Sequence, residues 1–376
     1  MLLLLCAGLH LYLGVRLLPS LMAWPWAAAL LALLLLASAL LIPMALQGRR
    51  ANRSAKVRLG LAWTGMLAMG WFSSLFVLSV LRDALLSLLW LGSVALGGLS
   101  VDGVLTPSAW AVLLLATLAT VLGAWNARRT AAVVDVDVPI VDLPERLHGF
   151  TIAQISDLHV GSTIRVAYVG AVVDRVNQIG ADMVAVTGDL VDGSVADLCA
   201  HVAPLSRLAS RHGTFFVTGN HEYYSGAAAW IAELRRLNMQ VLLNEHVVLN
   251  HDGSQLVVAG VTDHGAHHFD PEQRSDPLAA LAGSPRGVAM RMLLAHQPRS
   301  AEQAAAAGFQ LQLSGHTHGG QFWPWNLFVR LQQPFTAGLH RLHGLWVYTS
   351  RGTGYWGPPK RFGAPSEITR LRLVRT

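Results

Sequence analysis

Five polar motifs follow one another through this 376-residue chain: Ser156-Asp157-Leu158-His159, Gly188-Asp189, Gly219-Asn220-His221-Glu222, His296 within Ala295-His296-Gln297-Pro298, and Gly315-His316-Thr317-His318. Asp, His and Asn without Cys form a hard-to-borderline ligand set, suited to Mn, Fe or Zn rather than to a structural zinc knot. The Asp-x-His and His-x-His spacings read as extended segments that send two alternating side chains toward a common point. Such a set suits two cations about 3.5 to 4 Å apart, bridged by a carboxylate and a hydroxide. Two cations can activate an attacking water and neutralise phosphoryl oxygens. Taken singly, each residue has a blander explanation: an Asp after a strand is usually a helix N-cap, and a lone His usually sits on a surface or in a core. The chemical reading rests on the whole set in its strand-and-loop context.

The elements that must position these residues are legible around them. Thr151 to Ile155, Met183 to Thr187 and Thr214 to Thr218 read as buried strands, each ending at one of the motifs. Met290 to Ala295 precedes His296, and Gln310 to Leu313 precedes the Gly315 motif. Further strands are expected at 256–261, 345–349 and 368–374, with helical patterns at about 164–179, 196–211 and 226–237. This alternation predicts an α/β domain over residues 150–376. Five strands deliver their polar residues to carboxyl-end loops, where open α/β sheets bind ligands.

The ordered series Asp-x-His, Gly-Asp, Gly-Asn-His-Glu, a lone His and Gly-His-x-His over residues 157–318 resembles the calcineurin-like metallophosphoesterases. The resemblance implies a layered α-β-β-α sandwich and a metal-dependent hydrolase of phosphoric esters. Carried over position by position, it implies that Asp157, His159 and His318 bind one divalent ion. Asn220, His296 and His316 would bind a second, with Asp189 bridging the two. His221 would be the general acid that protonates the leaving oxygen, oriented by Glu222. The tail Gly352-Thr353-Gly354-Tyr355-Trp356-Gly357-Pro358-Pro359, behind apolar spans, is similar to the membrane-bound bacterial branch of that family.

Two departures narrow the substrate. Protein phosphatases of the family usually continue the Gly-Asp motif into Asp-Arg-Gly, whereas Asp192 here precedes Gly193-Ser194, which disfavours a phosphoprotein. Related hydrolases of nucleotide-linked lipids usually carry Arg where this chain has His221, so similarity to them is general. The favoured substrate is a phosphodiester or pyrophosphate, with lipid-linked esters among the options. The alternatives are a phosphomonoesterase for a small soluble substrate and a catalytically silent membrane scaffold or sensor, against which the complete set of seven ligand positions argues. Asp192 either supports the site from behind, caps the helix near 196 or makes a turn with Gly193. Asp263-His264-Gly265-Ala266-His267-His268 reads as a polar loop near the cleft rather than a second metal motif, and Arg351 and Tyr355 either contact substrate or frame a loop.

Hydrophobic residues make up 53% of the chain, too much for a single soluble globule. Apolar runs at about 2–18, 24–46, 59–81 and 108–126 predict a four-helix transmembrane anchor over residues 1–130, joined to the catalytic domain by a charged linker at 131–149. The first run has no basic stretch before it and reads as a retained anchor rather than a cleaved signal. Residues 1–130 carry a net charge of +7 and the remainder −1, so the basic excess sets membrane orientation and is no nucleic-acid footprint. The basic loop 47–58 and Arg128-Arg129 then place the catalytic domain in the cytoplasm, and the resemblance implies the inner membrane of a bacterium. The apolar stretch 84–99 reads as an interfacial helix or an extension of the third span rather than a fifth span, which would turn the catalytic domain to the outer face. His10 reads as a bundle-packing residue and Arg82-Asp83 as marking an interface. Cys6 and Cys199 offer no disulfide framework. The expected partners are the lipid bilayer and a phosphate ester.

Overall fold

The computed structural model describes residues 1–47, 54–96 and 102–376. They form two units, Met1–Arg128 with Gly357–Phe362 and Arg129–Trp356 with Gly363–Thr376.

The first unit is helical: α1 (Leu2–Leu17), α2 (Pro25–Gln47), α3 (Ala55–Leu96) and α4 (Asp102–Arg128). The last three are long and apolar enough to cross a membrane, whereas α1 is shorter. Of the basic loop, Arg49, Arg50 and Arg53 lie outside the described residues. At 42 residues α3 is about 63 Å long, twice the hydrocarbon thickness. It absorbs residues 84–96 as a continuation of the third span. The helix runs through Arg82-Asp83 because both charges are satisfied inside the bundle. Asp83 accepts from Tyr12 Oη at 2.7 Å and from Arg16 Nε at 2.8 Å, while Arg82 donates to Ser108 Oγ, Ser20 Oγ and the Leu105 carbonyl. His10 packs as expected, stacked on Phe72 with Nε2 2.9 Å from Ser38 Oγ. The hexapeptide Gly357–Phe362 packs among these helices. Lys360 Nζ donates to the Gly70 carbonyl at 2.9 Å, Ser74 Oγ at 2.5 Å and Thr120 Oγ1 at 3.2 Å.

The second unit is a sandwich of two six-stranded sheets. The first sheet, in spatial order, contains β1 (Ala132–Ile140), β12 (Glu367–Arg375), β2 (Thr151–Ile155), β3 (Met183–Val186), β4 (Thr214–Phe216) and β5 (Met239–Val241). The second runs β10 (Gly338–Leu342), β11 (Leu345–Thr349), β9 (Leu311–Ser314), β8 (Met290–Leu294), β7 (Ser254–Gly260) and β6 (Glu245–His251). Ile152, Met183 and Phe215 face Leu256, Met292 and Leu313 in the core between them. Helices α5 (Val166–Asn177), α6 (Val195–Val202) and α8 (Ala227–Arg236) lie side by side, following strands of the first sheet. The short helices α9 (Pro277–Ala280) and α10 (Ala301–Ala306) cover the second over Val257, Leu293 and Phe309. The layers are thus α-β-β-α. With both faces covered, β3 is buried along its whole length.

The expected linker at 131–149 is not all linker: Ala132–Ile140 forms β1, an edge strand parallel to β12. Its acids are neutralised across the pair, where Asp135 faces Arg370 and Asp137 faces Arg372. Strands β5, β6 and β10 were also absent from the sequence expectation. Neighbouring β2, β3 and β4 run parallel, as do β8 and β9, so each group opens its carboxyl-end loops on one edge.

Candidate metal centre

The loops after β2, β3, β4, β8 and β9 gather the predicted ligands into two groups. Asp157, His159 and His318 offer ligand atoms within 4.8 Å of one another, and so do Asp189, His296 and His316. In the first, His318 Nε2 lies 3.3 Å from Asp157 Oδ1 and 3.1 Å from His159 Nε2. In the second, His296 Nε2 lies 3.1 Å from Asp189 Oδ2 and 3.2 Å from His316 Nδ1. Asp189 Oδ2 is also 3.9 Å from His159 Nε2, which sets its carboxylate between the groups. Asn220 opens the short helix α7 (Asn220–Ser225). Its Oδ1 is shielded from solvent and finds no hydrogen-bond partner among the described residues. A buried acceptor left without a donor is costly, and Asn220 directly follows Gly219, whose backbone lies against the Asp189 carboxylate. These residues fit divalent cations.

The backbone is specialised for this convergence. Asp157, His159, Asp189, His316 and His318 all have φ between 50° and 70°, the left-handed region that side-chain-bearing residues rarely adopt. The Asp-x-His and His-x-His segments are therefore not extended, contrary to the expectation from spacing. Strain concentrated on five predicted ligands is the pattern of a functional site. Two motif glycines answer to space. A Cβ on Gly219 would lie 2.2 Å from Asp189 Oδ1, and one on Gly315 would lie 1.9 Å from Ser156 Oγ.

The two residues expected to act as acid and orienter separate. His221 Nδ1 is 2.6 Å from Asp192 Oδ1, the same oxygen that lies 3.1 Å from His159 Nδ1. Asp192 is thus the orienting carboxylate, and it serves a ligand and the candidate acid together. Glu222 does not orient His221. Its carboxylate accepts from the backbone N–H groups of Asp189, Leu190 and Gly219 at 2.7 to 3.0 Å, clamping two ligand loops to each other. The sequence signal for Asp192 was its place three residues after Asp189, which its alternative as a helix cap obscured. Ser194 fills that capping role, accepting from the Asp197 amide.

Charges in the centre balance one another. Burial opposes a charge on His159, but Asp192, Asp189 and Asp157 outweigh it and push its pKa up to about 9. Burial and the neighbouring His296 pull His316 down to about 3. Burial, with the charge on Asp189, raises Glu222 to about 7. A cation entering the site takes over the balancing that protonated histidines otherwise perform.

The remaining candidates fall outside the two ligand groups. His267 Nδ1 lies 3.1 Å from the His264 carbonyl, and the His267 and His268 rings are 4.0 Å apart. Asp263 accepts from Gln297 Nε2 at 2.9 Å, tying that loop to the residue after His296. Arg351 pairs with Glu367 at 2.5 Å and Tyr355 is buried.

Residues 150–320 match the calcineurin-like phosphoesterase family. A transmembrane protein with metallophosphoesterase domain from Bos taurus is 38% identical over 311 residues, 80% of this chain and 70% of that one. The protein of the same description from Danio rerio is 36% identical over 269 residues, 69% of this chain and 61% of that one. An uncharacterized metallophosphoesterase of Helicobacter pylori strain J99 is 40% identical over 225 residues, 58% of each chain. This chain therefore spans 58% to 70% of these relatives' own length. Animal proteins stand among them, which corrects the expectation of a bacterial branch. The chain belongs to the calcineurin-like metallophosphoesterases, metal-dependent hydrolases that act on phosphoester bonds.

Proposed function

We propose that this chain hydrolyses a phosphodiester or pyrophosphate at a dinuclear centre. Asp157, His159 and His318 hold one ion, Asn220, His296 and His316 the other, and Asp189 lies between. The ions, when bound, supply Lewis acidity and an activated water. The observation that carries the reading is the convergence of six Asp and His side chains in two groups of three, supported by a buried Asn220 Oδ1 without a partner among the described residues. His221, held through Nδ1 by Asp192, keeps Nε2 as the nitrogen that hands a proton to the leaving oxygen. Glu222 fixes the Asp189 and Gly219 loops at their working separation. The test is hydrolysis of bis-p-nitrophenyl phosphate by the purified full chain, alongside p-nitrophenyl phosphate. Turnover is expected with Mn or a similar ion and none after chelation. Undiminished turnover in metal-free protein, verified by elemental analysis, would falsify the reading.

The charge asymmetry supports a cytoplasmic catalytic unit. With α1 crossing as well as α2, α3 and α4, the basic loop and Arg128-Arg129 share one side, and the Lys/Arg bias makes that side cytoplasmic. Fusions after Thr376 are expected to light a cytoplasmic fluorescent reporter and to leave alkaline phosphatase inactive. The opposite pair of results would place the site on the outer face.

A further inference from the structure

Past the second ligand group, the chain does something a soluble enzyme avoids. His318 is followed after Gly319-Gly320 by Gln321-Phe322-Trp323-Pro324-Trp325-Asn326-Leu327-Phe328-Val329-Arg330-Leu331. Two short turns in it, Trp325–Leu327 and Val329–Leu331, bury none of their residues. Leu327 is 64% exposed, Phe328 52% and Leu331 80%. Leaving such side chains in water forgoes the gain of burying them, and clusters of this kind mark interaction surfaces.

The patch is continuous with the mouth of the centre. Gln321 Nε2 donates to the Trp356 carbonyl at 2.8 Å, and the Trp356 amide donates back to Gln321 Oε1 at 2.8 Å. The exposed Trp356 ring lies 5.7 Å from His221. His221 is also 5.2 Å from the exposed Tyr224 ring, which in turn lies 5.6 Å from exposed Phe269.

We propose that this aromatic rim is seated in the leaflet that holds the chain's own helices, and that the substrate is an amphiphile whose phosphoester is presented from that leaflet. Three observations name the bilayer as occupant. Only residues 129–131 separate α4 from β1, a reach of about 10 Å. Trp356 immediately precedes the hexapeptide that packs among the apolar helices. Between Gln321 and Phe335 the chain has one charge, exposed Arg330, and no acid, and Trp with Arg is the composition that suits a headgroup layer and an anionic leaflet. The substrate half rests on the phosphoesterase reading. In it, water adds at phosphorus, one P–O ester bond breaks, and the leaving oxygen takes its proton from His221.

The test uses the full chain, one copy per nanodisc, in phosphatidylcholine with a minority of phosphatidylglycerol. In a Cys6→Ser, Cys199→Ser background, a fluorophore on Leu327→Cys is expected to be quenched by doxyl-labelled lipid. A fluorophore on Leu278→Cys, equally exposed but on α9, is the control. Equal quenching at the two positions, or none at either, overturns the docking. Activity is read on hexadecyl p-nitrophenyl phosphate and methyl p-nitrophenyl phosphate, which share their leaving group. The wild type is expected to favour the hexadecyl ester in kcat/KM by roughly tenfold or more, from burial of the tail. The triple variant Leu327→Ser, Phe328→Ser, Leu331→Ser should lose that preference and keep the methyl-ester rate. A preference that survives the triple variant overturns the proposal. A wild type that hydrolyses neither ester sinks the phosphoesterase reading, while the quenching result still decides the docking.

Discussion

Each of the two units buries ionisable side chains, and their surroundings differ in kind. Among the helices, Lys360 Nζ reaches a carbonyl and two hydroxyls, and Arg82 spreads its donors over Ser20, Leu105 and Ser108. In the sandwich, potential ligand atoms crowd together: His159 Nε2 lies 3.1 Å from His318 Nε2, and Asn220 Oδ1 has no donor among the described residues. An ionisable group inside a membrane unit is a functional candidate by default. Satisfied donors assign Lys360 and Arg82 to architecture, whereas the convergence of ligand atoms makes the Asp/His set a candidate for ion binding.

The sharpest way to break that contrast is at its centre. Asp189→Asn removes the negative charge between the two ligand groups while preserving shape. Activity on bis-p-nitrophenyl phosphate is expected to fall by roughly 10³-fold or more, together with bound metal measured by elemental analysis. A variant that keeps full metal and full turnover would show that Asp189 is only a packed carboxylate.

A smaller effect separates proton transfer from ion binding. His221→Ala should retain metal and lose about 10²-fold in rate, the ordinary scale for removing a general acid. The loss should shrink for leaving groups of low pKa, which depart without a proton. Asp192→Asn should show the same leaving-group trend in milder form, about 10-fold, because it orients His221 through Nδ1. Equal losses on good and poor leaving groups would remove His221 from the acid role.

The candidate ligand positions were legible in sequence because two local signals coincide near each: an apolar strand run, and an Asp, Asn or His in the loop after it. Backbone conformation was not legible. Nothing in Asp-x-His says that both ligands adopt positive φ, since the strain persists only because the surrounding loops enforce it. Glu222 misled by adjacency: one residue along α7 turns a side chain by about 100°, so it points to amides while Asp192, from another loop, meets His221. Strand β1 was hidden by its charges. Asp135 and Asp137 look like linker residues until Arg370 and Arg372 stand opposite them, a pairing that exists only in three dimensions. The length of α3 was obscured in the same way, because Arg82-Asp83 looks like a helix end until Tyr12, Arg16 and Ser108 are brought to it.

The smallest expected effect completes the contrast. If Lys360 is architectural, Lys360→Met should be close to neutral, because methionine keeps most of the apolar stem and the lost donors leave little stranded. Thr120 Oγ1 already donates to the Ala116 carbonyl at 2.8 Å. Gly70, inside α3, has its carbonyl placed to accept from the helix as well. Replacing a buried charge by an apolar side chain of similar volume is commonly neutral, whereas introducing an unpaired one is not. Lys360→Met should therefore shift the stability of the detergent-solubilised chain by no more than about 1 kcal/mol, read from thermal unfolding, and leave turnover of the soluble diester unchanged. Lys360→Glu should be destabilising by about 3 kcal/mol or more, since it sets a carboxylate against oxygens that until then accepted from the ammonium. A Lys360→Met chain that folds and binds metal yet turns over tenfold more slowly would make this lysine part of the catalytic apparatus, and satisfied hydrogen bonds would no longer separate the two kinds of buried charge.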